Sequence, residues 1–94
     1  MAVEIPQGLD WLRQHGLSDA EIRDFYPCVP GEFTLQNTFY VNTGTPNTVY
    51  RGTEEGTLPL VTGRWYMVPL ATIKQHPDLA RDAAPPARAV RLTR

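Results

Sequence analysis

Residues 33–69 read FTLQNTFYVNTGTPNTVYRGTEEGTLPLVTGRWYMVP, and whether they coil or extend decides the fold. Eight Thr stand between Thr34 and Thr62, interspersed with Phe33, Phe39, Tyr40, Val41, Val49 and Tyr50. β-branched and aromatic side chains fit a pleated, half-buried surface, so local propensity favours strands over helices. Thr43-Gly44-Thr45-Pro46-Asn47 has turn composition, and Glu55-Gly56 and Thr62-Gly63 mark two further turns. Arg64-Trp65-Tyr66-Met67-Val68 is the clearest strand pattern, closed by Pro69. On this reading 39–42 and 48–51 pair across the 44–46 turn, and 64–68 adds a third strand. The product is a small antiparallel β-meander, with Val49, Leu58, Leu60 and Val68 as core.

Outward from that stretch, the flanks read as helical. Pro6 suits a first helical position, and Leu9, Trp11 and Leu12 make a small apolar face ahead of Gly16, a C-cap. Ser18-Asp19-Ala20-Glu21 is a capping-box pattern, in which hydroxyl and carboxylate each satisfy the other's backbone N–H. Ile22, Phe25 and Tyr26 then fall on one face, and Pro27 and Pro30 end the helix. The expectation is an N-terminal helical hairpin over 1–30, followed by a β-rich or winged-helix unit over 31–84. A short helix over 70–76 and a further turn from Pro77 close an α+β domain spanning 1–84. Pro85 and Pro86 stop regular structure, leaving 85–94 as a flexible basic tail.

Ninety-four residues make one domain with one modest core, too small for barrels or doubly wound sheets. The composition, 41% hydrophobic and 20% charged, is that of a globular chain and not a disordered one. A single Cys cannot form an intrachain disulfide. No stretch approaches a membrane span, and the N-terminus lacks a basic region followed by an apolar run, so the expected address is the cytoplasm. The net charge of −1 hides a split. Residues 1–32 carry six acids against two bases, and 33–94 carry seven bases against four acids. Arg88, Arg91 and Arg94 lie in the tail with no acid beside them, which keeps a nucleic-acid partner open.

Residues 33–76 resemble the small winged-helix DNA-binding proteins related to MerR, namely phage excisionases and AlpA-like regulators. The likeness rests on Thr48-Val49-Tyr50-Arg51, then Gly56, Leu58-Pro59, Gly63-Arg64 and Trp65. Phe33-Thr34-Leu35-Gln36 stands where that family starts its first helix, and Leu70-Ala71-Thr72-Ile73 where it has the helix after the wing. The resemblance implies helices over 34–42 and 46–55 and a mobile-element DNA-binding protein. Asn47, Thr48, Tyr50, Arg51 and Arg64 would then face double-stranded DNA, and Arg88, Arg91 and Arg94 would ride on phosphates. Against it, Asn37 to Val41 is poor helix material, and Gly52 would stand inside the recognition helix. The rival expectation is a phage-encoded structural or inhibitory protein-binding module, in which the meander presents Tyr40, Tyr50, Trp65 and Tyr66 to a partner.

Catalytic chemistry finds no footing in the sequence. Cys28, His15 and His76 are the only soft metal ligands and lack zinc spacing, so neither a metal nor a cofactor is expected. Cys28, between Pro27 and Val29, reads as a small packed residue, and Glu54-Glu55 as a solvated pair on a turn. There is no Walker-type or dinucleotide-binding glycine loop. The sequence therefore points to a non-enzymatic binding protein, with DNA or a protein as its partner.

Overall fold

A computed structural model of the chain describes residues 5–53, 56–58, 60–81 and 83. The chain opens with a 3-10 helix, Asp10–His15, ended by Gly16 at φ +91°. The Gly16 N–H donates to the Arg13 carbonyl at 3.0 Å. Ser18 then caps α1 (Asp19–Arg23). Its hydroxyl accepts from the Glu21 N–H at 3.2 Å, and its own N–H donates to the Glu21 carboxylate at 2.8 Å. Four strands follow, β1 (Tyr26–Cys28), β2 (Phe39–Asn42), β3 (Tyr50–Arg51) and β4 (Trp65–Val68). Two short helices close the described chain, α2 (Leu70–Gln75) and α3 (Pro77–Arg81).

The strands form one antiparallel sheet in the order β1-β4-β2-β3. This corrects the expected architecture in three respects. The N-terminal helical hairpin is absent: one six-residue 3-10 helix and one five-residue α-helix leave no pair of helices to pack. Pro27, expected to stop a helix, instead lies inside edge strand β1, where a missing N–H costs nothing on the outer side. The sheet is not a meander, because β4 pairs on the far side of β2 from β3 and then takes β1 as its other neighbour. The winged helix is overturned as well. Strand β2 occupies the segment expected as its first helix, and β3 the segment expected as its recognition helix. Asn37 and Asn47 adopt φ near +60° ahead of those strands, a turn conformation that no helix contains. The flexible tail expected over 85–94 lies outside the described residues.

Register assigns the two faces of the sheet. Tyr26, Met67, Tyr40 and Tyr50 share one row, as do Phe39, Val68 and Arg51. Alternation then puts Phe39, Val41, Tyr66 and Val68 on one face, where they join Leu9, Trp11, Leu12, Leu17, Ile22, Phe25, Ile73 and Leu79 in the main core. Tyr40, Trp65, Cys28, Tyr50 and Met67 look the other way, and Leu58 covers them. Leu58 arrives on a small antiparallel ribbon of residues 31–34 and 56–58. Its hydrogen bonds run from Gly31 N to Leu58 O (2.8 Å), from Leu58 N to Glu32 O (2.9 Å) and from Thr34 N to Gly56 O (2.9 Å). Helices thus bury one face of the sheet and a ribbon buries the other.

The ribbon is fastened by two hydroxyls. Thr34 donates to the Thr53 carbonyl at 2.7 Å and accepts from the Thr53 N–H at 3.0 Å. Tyr40, whose phenol burial pushes up, accepts from the Leu35 N–H at 2.9 Å. Between them Gly52 N–H donates to Thr38 O at 2.7 Å, and its α-carbon lies so close to Leu35 that a Cβ would run into the Leu35 carbonyl oxygen. Gly52→Ala and Thr34→Val should each lower stability by about 1–3 kcal/mol, the first by backbone clash and the second by leaving the part-buried N–H and carbonyl of Thr53 without their partner. Urea unfolding followed by tryptophan fluorescence measures both. A change below about 0.5 kcal/mol in either variant would show that the ribbon is not held in this way.

Candidate interaction surfaces

The residues expected to face DNA do not assemble into one surface. Asn47 sits exposed in the turn after β2, and the Thr48 hydroxyl donates to the Pro46 carbonyl at 3.3 Å. Tyr50 and Arg51 are neighbours on β3, so they point to opposite faces. Tyr50 lies edge-on to Trp65, with ring centroids 5.2 Å apart, and Arg51 is exposed. Arg64 precedes β4 at the far end of the sheet. It is level with Thr43, four strand positions from the Phe39–Arg51 pair, or roughly 13 Å along the strand direction. Arg88, Arg91 and Arg94 lie outside the described residues. No charged residue occurs between Glu32 and Arg51, or between Gly56 and Gly63. A surface built from those segments has nothing with which to neutralise phosphate.

The aromatic interface expected by the rival reading is mostly interior. Tyr40 and Trp65 are buried beneath Leu58, and Tyr66 faces the main core from the opposite side of the sheet. Only Tyr50 is half exposed on the ribbon side.

A different surface emerges, made of apolar side chains, two of which the sequence reading places elsewhere: Leu60, expected in the core, is 61% exposed, and Tyr26, expected on a helix face, lies on edge strand β1. Phe33 is 75% exposed and Leu35 60%, while Thr34 between them points inward at 4%. The ribbon therefore alternates, with its outer face apolar. Beside Leu35 runs a groove of about 300 Å³, lined also by Tyr26, Phe39, Met67 and Leu70. Tyr26 and Leu70 are themselves 56% and 59% exposed. Leu60 and Val61 continue the exposed apolar surface along the chain after the ribbon, Leu60 lying beside Gly31. The signal that could have located this surface is the Phe-Thr-Leu alternation in an uncharged stretch.

The titratable groups serve structure. The Cys28 thiol is half-buried and burial pushes its pKa up, so it is packed rather than poised to react. His76 ends α2, and its Nε2 lies 3.0 Å from the Glu21 carboxylate, joining the last helices to α1. Arg13 pairs with Asp19 at 2.7 Å on the surface. Among the described residues no three of His, Cys, Asp and Glu lie together as metal ligands, and no helix is long and apolar enough to cross a membrane. No protein-family model, curated protein or solved structure matches the chain.

The Ser18 N–H, and after it His76, hold the Glu21 carboxyl below its ordinary value. A carboxyl lowered in the folded state stabilises fully above its unfolded value of 4.5, and that contribution fades as pH falls through the folded value. Glu21→Gln keeps the capping geometry and removes the charge. It should cost about 1 kcal/mol at pH 7, and the gap from the native chain should narrow as pH falls below 4.5. A gap that stays constant across an acid titration monitored by circular dichroism would show that the charge contributes nothing.

Proposed function

We propose that this chain is a small non-enzymatic structural module that pairs with a second copy of itself through the outer face of the ribbon. The observation that carries the reading is an exposed ring, Phe33, two residues from Leu35, which lines an apolar groove. A two-fold interface must be self-complementary, and a knob beside a hole meets that condition. The groove holds about ten times one water's share of liquid volume, room enough for a phenyl ring. With Leu35, Leu60, Tyr26 and Leu70, the exposed parts of five apolar residues offer on the order of 500–600 Å² per copy, below the ~800 Å² per partner of a standard interface and in the range of a weak one.

Charge supports the same occupant. Glu32 is the only charged residue described in the ribbon, so two copies can meet with little like-charge repulsion. A nucleic-acid partner would need bases on this face, and its segments carry none. The cytoplasm, a reducing compartment, suits a module with one unpaired thiol.

Sedimentation equilibrium from 10 µM to 1 mM tests the proposal, a range chosen around the micromolar affinities common for interfaces of this size. The native chain should be dimeric across the upper part of the range. Leu35→Glu should be monomeric with an unchanged circular dichroism spectrum, because that side chain points to solvent. Lys74→Glu, on α2, should remain dimeric. A native chain that stays monomeric throughout, or dimers that survive both Leu35→Glu and Phe33→Glu, overturn the reading. So would duplex-DNA binding that strengthens steeply as salt falls and weakens on Arg51→Ala.

A further inference from the structure

At the opposite end of the sheet lies a second concavity, of different chemistry. A cleft of about 580 Å³ opens between the segment before the 3-10 helix and the β2–β4 end of the sheet. Pro6, Gln7, Thr43, Gly63, Arg64 and Tyr66 line it. None of the six is acidic. We propose that this cleft is a binding site for a small carboxylate with a flat apolar body.

Three observations carry the proposal. The first is the donor inventory. Arg64 is exposed and has no ion-pair or side-chain hydrogen-bond partner among the described residues. The Thr43 hydroxyl accepts from the Arg64 N–H at 2.8 Å, which leaves its own hydrogen to donate. The Gln7 amide and the Tyr66 hydroxyl have no partner among the described residues either. Residues bearing a guanidinium, two hydroxyls and an amide line one space, with no carboxylate among the described lining residues, so the complement is an anion rich in acceptors.

The second is how firmly the walls are set. Arg64 is held on both sides of its backbone, because Thr43 N also donates to the Arg64 carbonyl at 3.0 Å. Gly63, at φ +104°, lies so near β2 that a Cβ would come within 2.6 Å of the Gly44 nitrogen. On the other wall a Cβ on Gly8 would meet the Thr43 carbonyl oxygen at 2.6 Å. The backbone around the cleft is thus packed to contact while the cleft itself stays open. A preformed concavity of this size within the range of small-molecule sites binds with little ordering cost.

The third is the apolar content. Pro6 and Tyr66, each carrying a ring, line the cleft together with Arg64. A ring bearing a carboxylate would lie against them while its charge meets Arg64. The neutral parts of such a ligand supply burial, and the guanidinium fixes its orientation.

The test uses the full chain, labelled with nitrogen-15, and sodium benzoate as the probe. Benzoate should shift the backbone amides of Thr43, Gly63 and Arg64 saturably, with a dissociation constant on the order of 1 mM. Arg64→Gln should weaken it about five- to tenfold, and Arg51→Gln should not change it. Benzyl alcohol, which has the ring without the charge, and acetate, which has the charge without the ring, should each bind at least about fivefold more weakly. The site is overturned if no saturable shift appears, if Arg64→Gln binds as the native chain does, or if either truncated probe matches benzoate. Because the cleft shares no residue with the ribbon face, a failure here leaves the dimer reading to its own experiment.

Discussion

The hydroxyl of Thr34 both donates to and accepts from the backbone of one residue, Thr53, nineteen positions along the chain. Everything on that side of the sheet depends on this contact. It fixes where residues 31–34 run, and their pairing with 56–58 delivers Leu58 onto Tyr40 and Trp65. Without Leu58, two large aromatic side chains would face water from a sheet whose other face is already spent on the main core. Burying side chains of that size is worth about 1.5–3 kcal/mol each, which is significant against a total near 5–15 kcal/mol. The same alternation that sends Thr34 inward sends Phe33 and Leu35 outward. The buried tie and the exposed apolar face are therefore two sides of one short ribbon.

What could be read from the sequence was local. Ser18 to Glu21 is a capping box because both partners lie within one turn, and Gly16 ends a helix because the left-handed conformation suits the residue itself. The strand at Trp65 to Val68 is legible from its side chains alone. What could not be read was non-local. Nothing near Pro27 says that residues 26–28 will pair with 65–67 some forty positions away, and proline's usual meaning is to end a helix. The aromatic residues were visible, but which of them are buried depends on Leu58 covering one face. Tyr40 and Trp65 therefore read as interface when they are core.

Gly52 shows how one residue can support opposite readings. Inside a recognition helix it would be a defect, costing about 1 kcal/mol relative to Ala. In the sheet it is required, because the backbone of Leu35 passes where a side chain would be. Thr48 to Arg51 carry the likeness to winged-helix regulators. In the fold Thr48 and Val49 connect a turn to a two-residue strand, which places Tyr50 and Arg51 on opposite faces. A short motif dominated by Thr, Gly and an aromatic suits both settings. The decision rests with long-range partners: the Thr38 carbonyl for Gly52, and Trp65 for Tyr50.

The edges of the sheet bear on how the molecule can associate. Strand β1 carries Pro27 at its centre and so has no N–H there to offer an incoming strand, and β3 is only two residues long. Both are ways of discouraging edge-to-edge pairing. Contact through side chains on a face is what remains. One face is roofed by helices and the other by a ribbon whose outer surface is apolar and almost uncharged, so the ribbon is where contact is favoured. Arg64, unpaired among the described residues, sits at the far end of the sheet, away from that surface. The cleft and the apolar groove share no lining residue, so an occupant of one would not block the other.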